Sequence, residues 1–352
     1  MTLGFHIYDN LFDSMITYET LLDLLFGRNI PNYRCDEENV LSIIGGLTVE
    51  DSIEMAIILS IYKIPHFIYG SFEATLNDKK YFPFMYWMAP EENTYHTGLV
   101  QLLSYFKWTW IGLLLSDDDN GENFAQRLIP LLSKNSICVA FLQKDRENNY
   151  KVKNLAGEPI PGFIQRLAST DASVIIVSMD SRLLNILINF FERYEKYRKV
   201  DIKKVWILPP QWYPSITFKR KFIGNNLLEG AFSFTVHTKP VPGFQDFLKN
   251  LNSDKALMEF ICLFWHCVIL QCKSCRGQKL VDLPAHFFEM TMSGESYSIY
   301  NAVYAVAHAL HAISFSRRGF IRDKWKLEDS NVHPWQVIHF SKCLSMNDYD
   351  VY

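Results

Sequence analysis

The sequence lacks the signals that would anchor it in a membrane or mark it for export. It contains no run of about 20 apolar residues, the length that a transmembrane helix requires. The nearest candidate, residues 257–271, is too short and includes Glu259 and His266. Met1 leads directly into TLGFHIYDN, without the basic start and the cleavage site of a signal peptide. These absences predict either a cytosolic protein or a product whose ends are missing from this chain.

The signals of nucleic-acid-binding proteins and of common enzymes are also missing. The formal net charge of the 352 residues is −3 at pH 7, whereas a general nucleic-acid binder is strongly basic. No nucleophile elbow G-x-S-x-G, phosphate-binding loop G-x-x-x-x-G-K-[ST] or dinucleotide-binding G-x-G-x-x-G follows a predicted strand. We therefore predict a protein that is not an enzyme, with no catalytic residues, no cofactor and no nucleic-acid partner.

The cysteines and histidines give only weak indications of a metal site. Seven cysteines is an odd number, so at least one is free or paired outside the chain. Cys272 and Cys275 are compatible with half a zinc site, with a disulfide or with two buried thiols. His308 and His311 stand three apart without a carboxylate beside them, which favours a packed helix face over a metal site. No metal site is predicted.

The chain does contain a regular alternation of short apolar runs and amphipathic helical runs. The predicted strands are residues 40–46, 65–71, 108–117, 137–143, 173–179 and 203–210, and the predicted helices are 51–62, 92–106, 121–134, 160–168 and 181–197. Nearly continuous apolar strands are typical of parallel sheets that are buried on both faces. The pattern predicts an α/β protein of repeated βαβ units, and the length suits roughly two domains.

Two helices carry more detailed predictions. Asp51 and Glu54 are spaced as a capping box at the start of helix 51–62. In helix 296–313 two faces follow the helical period, and both are capable of being buried. One is the apolar face of Ile299, Val303, Val306, Leu310 and Ile313, and the other holds Tyr297, Asn301, Tyr304, His308 and His311.

Ligand-binding loops are expected at the carboxyl ends of parallel strands, where helix N-termini and loop backbones converge. The segments at these ends are residues 45–48, 69–71, 117–121, 178–180 and 209–211. Small residues in the first two would let a ligand approach the backbone closely. The aspartates of the third could bind a cation or an ammonium group, but a helix cap by Asp119 before Gly121 is the preferred interpretation.

Long stretches of the sequence resemble one known family. The stretches are YKIPHFIYGSF, YFPFMYWMAPEENTYHTGLVQLLSYFKWTWIGLLLSDDDNGENF, KVWILPPQW, VPGFQDFL and SYSIYNAVYAVAHALHAI. They are similar to the extracellular ligand-binding region of class C G-protein-coupled receptors, above all the vomeronasal type-2 (pheromone-type) receptors. The similarity runs from about Leu3 to about Phe340, in the order of the family.

The resemblance implies a bilobed Venus-flytrap fold of the periplasmic-binding-protein-like type I class, with two doubly wound parallel-sheet lobes. Lobe 1 would comprise residues 1–88 and 236–352, incomplete at both ends, and lobe 2 residues 89–235. A chemosensory ligand would bind in the cleft between the lobes and favour the closed form. A homo- or heterodimer through lobe 1, with helix 51–62 as the suspected contact, would relay closure to a heterotrimeric G protein through a transmembrane domain absent from this chain.

The resemblance also implies roles for the cysteines. Cys138 matches a family cysteine that bonds to a cysteine-rich module, and Cys35 matches one whose partner lies upstream, so both partners would be outside this chain. Cys272 and Cys275 lie where the family has a disulfide and form a possible pair. Such bonds imply an oxidising, extracellular setting at the cell membrane, although the sequence has no N-x-[ST] glycosylation site.

The ligand positions match the family less well, and this predicts a change of ligand. Family members that sense amino acids hold the α-carboxylate and the α-ammonium with hydroxyls, backbone amides and acidic residues. Here Val49 and Phe72 stand at the hydroxyl positions, Asn120 replaces a tyrosine and Pro210 replaces an acid, whereas Glu92 keeps its sign. The residues predicted to bind ligand are Thr48, Gly70, Ser71, Glu92 and Asn120.

The preferred function is thus the ligand-binding region of a vomeronasal-type receptor that recognises a peptide or another polar molecule rather than a plain amino acid. Two alternatives stay open. One is a soluble flytrap protein that binds ligand without signalling. The other is an inactive receptor fragment, in which the altered ligand positions would reflect relaxed selection.

Overall fold

The computed structural model describes residues 3–10, 14–26, 40–47, 49–70, 79–88, 92–146, 149–150, 159–179, 181–199, 202–209, 230–249, 292–320 and 332–341. The chain divides into two compact units, Met1–Arg146 with Glu295–Tyr352 and Glu147–Gly294. Both units contain helices and parallel strands, so the predicted α/β class is confirmed. The lobe boundaries at residues 88 and 235 stay a prediction.

The helices and strands follow one another in the alternation that the apolar runs predict. The helices are α1 (Ser14–Phe26), α2 (Val49–Tyr62), α3 (Glu92–Tyr105), α4 (Asp119–Lys134), α5 (Gly162–Ser169), α6 (Ser181–Arg198), α7 (Phe244–Lys249), α8 (Gly294–Phe320) and α9 (Pro334–Ser341). The strands are β1 (Ile43–Ile44), β2 (His66–Ile68), β3 (Met85–Trp87), β4 (Trp110–Ser116), β5 (Cys138–Asp145), β6 (Val174–Ser178), β7 (Val205–Leu208) and β8 (Phe232–Ser233).

The first unit contains a short parallel sheet in which β2 lies between β1 and β3. His66 pairs with Ile43 of β1 on one side and with Met85 of β3 on the other. All three residues of β2 are buried. Because successive side chains of a strand point to opposite faces, this sheet has to be covered on both sides.

Helices α1 and α2 cover one face of this sheet. Ile43 of β1 belongs to an apolar cluster with α1 and α2, and Met85 of β3 belongs to a second cluster with α2. The buried members of the two clusters are Leu21, Ile43, Met55, Ile58, Leu59 and Ile64, and Ala56, Ile68, Met85 and Trp87. Since paired residues of neighbouring strands share a face, His66 lies on this same α2 side.

Helices α8 and α9 pack against Phe67, which points to the opposite side from His66. The buried members of this cluster are Phe67, Ala302, Ala305, Val306, Ala309, Leu310, Ile313 and Val337. Three of them are alanines of α8, whose small side chains let a helix approach a sheet closely. Each face of the sheet therefore has its own helical layer.

The helix predicted at residues 296–313 is confirmed within α8, but its buried face differs from the prediction. Ile299 and Val303 are exposed, and so are Tyr304, His308 and His311. Val306, Leu310 and Ile313 of the predicted apolar face are buried, and the three alanines complete the buried stripe. The exposed side chains of the aromatic face lie at the surface rather than in a packed layer.

The capping box predicted for Asp51 and Glu54 is wrong. Helix α2 begins at Val49, so Asp51 lies inside its first turn rather than before it. The buried Asp51 carboxylate accepts a hydrogen bond of 3.1 Å from the Thr17 hydroxyl of α1. The Thr17 oxygen in turn accepts a hydrogen bond of 2.9 Å from the Asn10 side chain. Asp51 thus joins α1 to α2 instead of capping α2.

Strands β4 and β5 form a parallel pair in the same unit, with a register shift between Ile111 and Gly112. Residues 111–116 of β4 are all buried, as expected for a strand covered on both faces. Helix α4 is amphipathic and buries Phe124, Leu128 and Leu132. The strand predicted at 108–117 and the helix predicted at 121–134 are therefore confirmed within two residues at each boundary.

The second unit contains a parallel sheet in which β7 lies between β6 and β8. Helix α5 buries Phe163, Ile164 and Leu167. The ring of Phe191 in α6 meets the buried indole of Trp206 in β7 edge to face, with 5.3 Å between the ring centroids. Aromatic packing of this geometry stabilises the contact between helix and sheet beyond the buried area alone.

Several helices end on a residue with positive φ that is not glycine. Lys63, Lys107 and Ser136 follow α2, α3 and α4, with φ values of 53°, 57° and 58°. After α3, the amide of Lys107 donates to Ser104 O over 3.1 Å and the amide of Trp108 to Leu103 O over 2.9 Å. These two bonds form the Schellman motif, in which a left-handed residue closes the helix.

We predict that Lys107→Gly stabilises the protein, because a left-handed conformation is strained for a residue with a Cβ atom. The expected rise in the free energy of unfolding is about 0.5–1 kcal/mol. The gain is limited to this size because glycine loses more conformational entropy on folding than lysine does, which offsets part of the relieved strain. Equilibrium unfolding in urea measures it. Lys134→Gly, in the last turn of α4, is the matched control and should destabilise the protein. Equal destabilisation by both changes would contradict the prediction.

Candidate ligand-binding site

Two loops meet at the carboxyl edge of the first sheet. The β1 loop (residues 45–47) follows β1 and the β2 loop (residues 69–70) follows β2. The Gly45 amide donates to Phe67 O over 3.0 Å, and the Gly70 amide donates to Gly46 O over 3.3 Å. Because the strands are parallel, both loops lie at the edge where ligands bind in α/β proteins.

Glycine is required in both loops by contacts within the protein. Gly46 has φ +87°, and a Cβ atom there would lie 2.4 Å from Ser52 Oγ. A Cβ atom on Gly70 would lie 2.6 Å from Leu47 Cδ1 and 2.8 Å from Leu47 Cα. We expected these glycines to let a ligand approach the backbone closely. In the structure, Ser52 lies against Gly46 and Leu47 lies against Gly70 instead.

Tyr69 is the titratable side chain of the β2 loop. Burial raises its pKa above 10, and the negative charges of Asp51 and Glu295 raise it further. The phenol therefore stays neutral at physiological pH and can both donate and accept a hydrogen bond. It lies in the field of two carboxylates, one from the first turn of α2 and one from the first turn of α8.

The first turns of α8 are fixed to the end of the same sheet. The buried Ser298 hydroxyl donates a hydrogen bond of 3.1 Å to the carbonyl oxygen of Met88, directly after β3. Glu295 precedes Ser298 by three residues, and its negative charge raises the pKa of Tyr69. Sequence reasoning missed both residues, although a serine within the alanine-rich buried stripe of a helix was the available signal.

The aspartates after β4 are held by neighbouring groups. The Asp117 carboxylate pairs with the Arg146 guanidinium at 2.7 Å. Asp118 Oδ1 accepts from the Gly121 amide over 2.8 Å and from the Ser116 hydroxyl over 2.7 Å. Helix α4 begins at Asp119, so the cap is Asp118, and the prediction of Asp119 as the cap is wrong by one residue.

Two further contacts fix the start of α4 against the strand ends. A Cβ atom on Gly121 would lie 1.9 Å from Ser116 O, so the helix approaches β4 as closely as a glycine allows. Glu122 forms an ion pair with Lys144 of β5. Its pKa is lowered by the hydrogen bond from Lys144 first and by that from Gln126 second. The half-buried Asn120 lies between these fixed residues, in the first turn of α4.

The predicted ligand residues are only partly within the described ranges. Gly70 lies in the β2 loop, against the β1 loop, and Asn120 lies in α4 beside the β4–β5 pair. Glu92 is the first residue of α3. Thr48 and Ser71, which continue the two loops, lie outside the described residues.

The predicted cysteine bonds also fall largely outside the described residues. Cys138 is exposed and free at the start of β5, opposite Trp110 of β4. An exposed thiol is accessible to a partner, and its bond to a cysteine outside this chain stays a prediction. Cys35, Cys272 and Cys275 lie outside the described residues.

The described part of the chain contains neither a cluster of metal-binding side chains nor a membrane-spanning helix. Within the ranges given above, no group of three or more histidine, cysteine, aspartate or glutamate side chains is arranged to hold a metal ion. In the same ranges, no helix has both the length and the apolar character needed to cross a bilayer.

The chain matches one family over almost its whole length. The family model described as "Receptor family ligand binding region" matches residues 1–346. Vomeronasal type-2 receptor 116 of Mus musculus is 29% identical over 303 residues, which cover 82% of this chain and 34% of that receptor. Vomeronasal type-2 receptor 26 of Mus musculus is 30% identical over 329 residues, 88% of this chain and 37% of the receptor.

A taste receptor is similar to a comparable degree. Taste receptor type 1 member 2 of Canis lupus familiaris is 28% identical over 315 residues, 85% of this chain and 34% of the receptor. The chain thus spans about a third of the length of these relatives. The resemblance to class C receptors and the periplasmic-binding-protein-like type I fold are both confirmed. The chain belongs to the receptor ligand-binding-region family, in the class C group that includes the vomeronasal type-2 and taste receptors.

Proposed function

We propose that this chain is the extracellular ligand-binding region of a vomeronasal-type receptor at the cell membrane. It binds a chemosensory ligand in the cleft between a lobe of residues 1–88 and 236–352 and a lobe of residues 89–235. Closure of the cleft is the signal, and a heterotrimeric G protein receives it through a membrane domain. The family match over residues 1–346 supports this proposal, as does the joining of two loops at the sheet edge.

The ligand in this proposal is a peptide or another polar molecule rather than a plain amino acid. The observation that carries it is that the aspartates after β4 already have partners: Asp117 pairs with Arg146, and Asp118 caps α4. Val49, at a hydroxyl position of the amino-acid sensors, packs against the apolar cluster under α2. A free amino acid would therefore find few groups for its ammonium and carboxylate.

The loss of charged partners should weaken the binding of a free amino acid strongly. Each hydrogen bond to a charged group contributes about 1.5–3 kcal/mol, so each lost partner weakens binding by roughly 10- to 100-fold. Two lost partners therefore move the Kd of a micromolar ligand to roughly 0.1–10 mM. A ligand with more uncharged hydrogen-bonding groups, such as a peptide, is less affected by these losses.

We predict that free amino acids leave the stability of the chain unchanged. A ligand with a Kd of about 10 μM, added at about 10 mM, would raise the free energy of unfolding by about 4 kcal/mol. Glycine, alanine and glutamate at this concentration should each cause no measurable rise. Urea unfolding measures it, with the N-acetyl amides of the same amino acids as controls that lack the charged α-ammonium and α-carboxylate groups. Dose-dependent stabilisation by any free amino acid, but not by its amide, would refute the proposed ligand class.

Dimerisation of the chain distinguishes the proposed receptor from the alternative, a soluble binding protein that does not signal. A receptor of this kind acts as a dimer through lobe 1, whereas a soluble carrier has no need of one. The outer face of the α1–α2 pair favours the dimer. Ile57 and Ile61 of α2 are 54% and 71% exposed, and Met15 of α1 is 77% exposed. An exposed apolar surface on two packed helices is typical of a protein contact.

We predict that Ile57→Asp with Ile61→Asp converts a dimer of the chain into a monomer, because two carboxylates would be buried without partners. Light scattering after size exclusion measures the mass. Tyr197→Asp is the matched control, since Tyr197 of α6 is equally exposed, at 77%, and lies outside this face. A monomeric starting protein, or equal dissociation by the control change, would contradict the proposed interface.

A further inference from the structure

His66 is a fully buried titratable residue that the proposed function does not use. It lies at the centre of the first sheet, between Ile43 and Met85, with 1% of its surface exposed. Neither ring nitrogen makes a hydrogen bond of good geometry with a described residue. Burial lowers the pKa of His66 from 6.5 to about 4, and the approach of the ring to the backbone of Gly45 offsets part of this shift.

The elements packed against His66 offer little compensation for a proton. The residues beside it on β1 and β3 are the apolar Ile43 and Met85. Tyr86 of β3 points to the opposite face, and burial raises its pKa to about 12, so it stays neutral. Lys79 donates to the Met85 carbonyl and lies over the Tyr86 ring, where it adds a second positive charge.

On the His66 side of the sheet, α1 contributes the acidic residues Glu19 and Asp23, and α2 contributes Asp51 and Glu54. Asp51 accepts the hydrogen bond from Thr17, and one oxygen of Glu54 is buried. The pKa of His66 is shifted by burial first and by the backbone of Gly45 second. Among the described residues, no carboxylate contributes to this shift, so a positive charge on the ring would lie in a largely apolar environment, which is strongly unfavourable.

The backbone around His66 holds both loops of the candidate site. The His66 amide donates to Phe84 O over 2.8 Å and fixes β2 to the segment before β3. The next residue, Phe67, accepts from Gly45 of the β1 loop, and Gly70 of the β2 loop bonds to Gly46. A displacement of β2 that hydrates the ring of His66 would break the hydrogen bonds that join the two loops.

We propose that protonation of His66 favours opening of the β1 and β2 loops, so that mild acid reversibly loosens the candidate ligand site. The neutral imidazole is compatible with burial in the closed sheet, whereas the charged imidazolium is stable only when the sheet opens and water hydrates the ring. This inference rests on the proposed function only in assuming that the two loops bind the ligand. The opening itself is independent of any ligand.

Hydrogen–deuterium exchange of the full chain tests this inference without a ligand. With a pKa of about 4 in the closed form and 6.5 in the open form, the opening equilibrium rises about twentyfold from pH 7 to pH 5. Peptides covering residues 43–47 and 66–70 should lose protection by this factor, after correction for intrinsic exchange. In His66→Gln the loss should fall below threefold, because the amide does not titrate.

His96 supplies a matched control. It is buried in α3, its ring lies 5.0 Å from that of Phe124, and its pKa is also lowered to about 4, by burial and then by Arg127. His96→Gln should leave the acid response of both loops as in the original chain. An unchanged loop response in His66→Gln, or its disappearance in His96→Gln, would overturn the proposal.

A direct measurement covers the case in which His66→Gln does not fold. Exchange of the imidazole C2 hydrogen, followed by mass spectrometry, reports the titration of His66 in the original chain. A midpoint near pH 4 supports the proposal. A midpoint near 6.5 overturns it, since the ring would then take up a proton without opening the sheet.

Discussion

The constraint on which the rest of the first unit depends is that a parallel sheet of very short strands must be covered on both faces. Strands of two or three residues have few hydrogen bonds of their own, so burial under α2 on one side and α8 on the other has to hold them. Covering both faces leaves no solvent-facing position for β2. Even His66 of this strand is therefore buried, and the loop that follows the strand begins directly after buried residues.

The same constraint explains why much of the fold is predictable from sequence. Strands buried on both faces read as continuous apolar runs, and β4 and β6 stand out for this reason. Strand β3 was missed because its three residues lie within a longer aromatic segment that gives no boundary. The buried face of α8 was predicted in part: Val306, Leu310 and Ile313 are buried as expected. The alanines at 302, 305 and 309 were missed, because a search for large apolar residues does not detect the small side chains that close packing on a sheet requires.

The site was less predictable than the fold, since its contacts join distant parts of the chain. Gly70 could be placed from its strand, but the reason for glycine there is Leu47, which only the folded loops reveal. Ser298 bonds to Met88 across 210 positions, and no local pattern announces such a pair. The choice of Asp118 over Asp119 as the cap depends on how closely Gly121 approaches Ser116, again a tertiary contact.

These contacts together support the proposed class of ligand. Ser52 and Leu47 fill the space beside Gly46 and Gly70. Asp117 is paired with Arg146, and Asp118 caps α4. Tyr69 stays a neutral phenol in the field of two carboxylates. A site of this kind distinguishes ligands by shape and by uncharged hydrogen bonds more than by paired charges. Each such bond contributes less than a charged one, so useful affinity requires many of them. The proposed ligand, a molecule larger than an amino acid, would meet that requirement, because it would extend beyond the two loops and add contacts that a single amino acid cannot make.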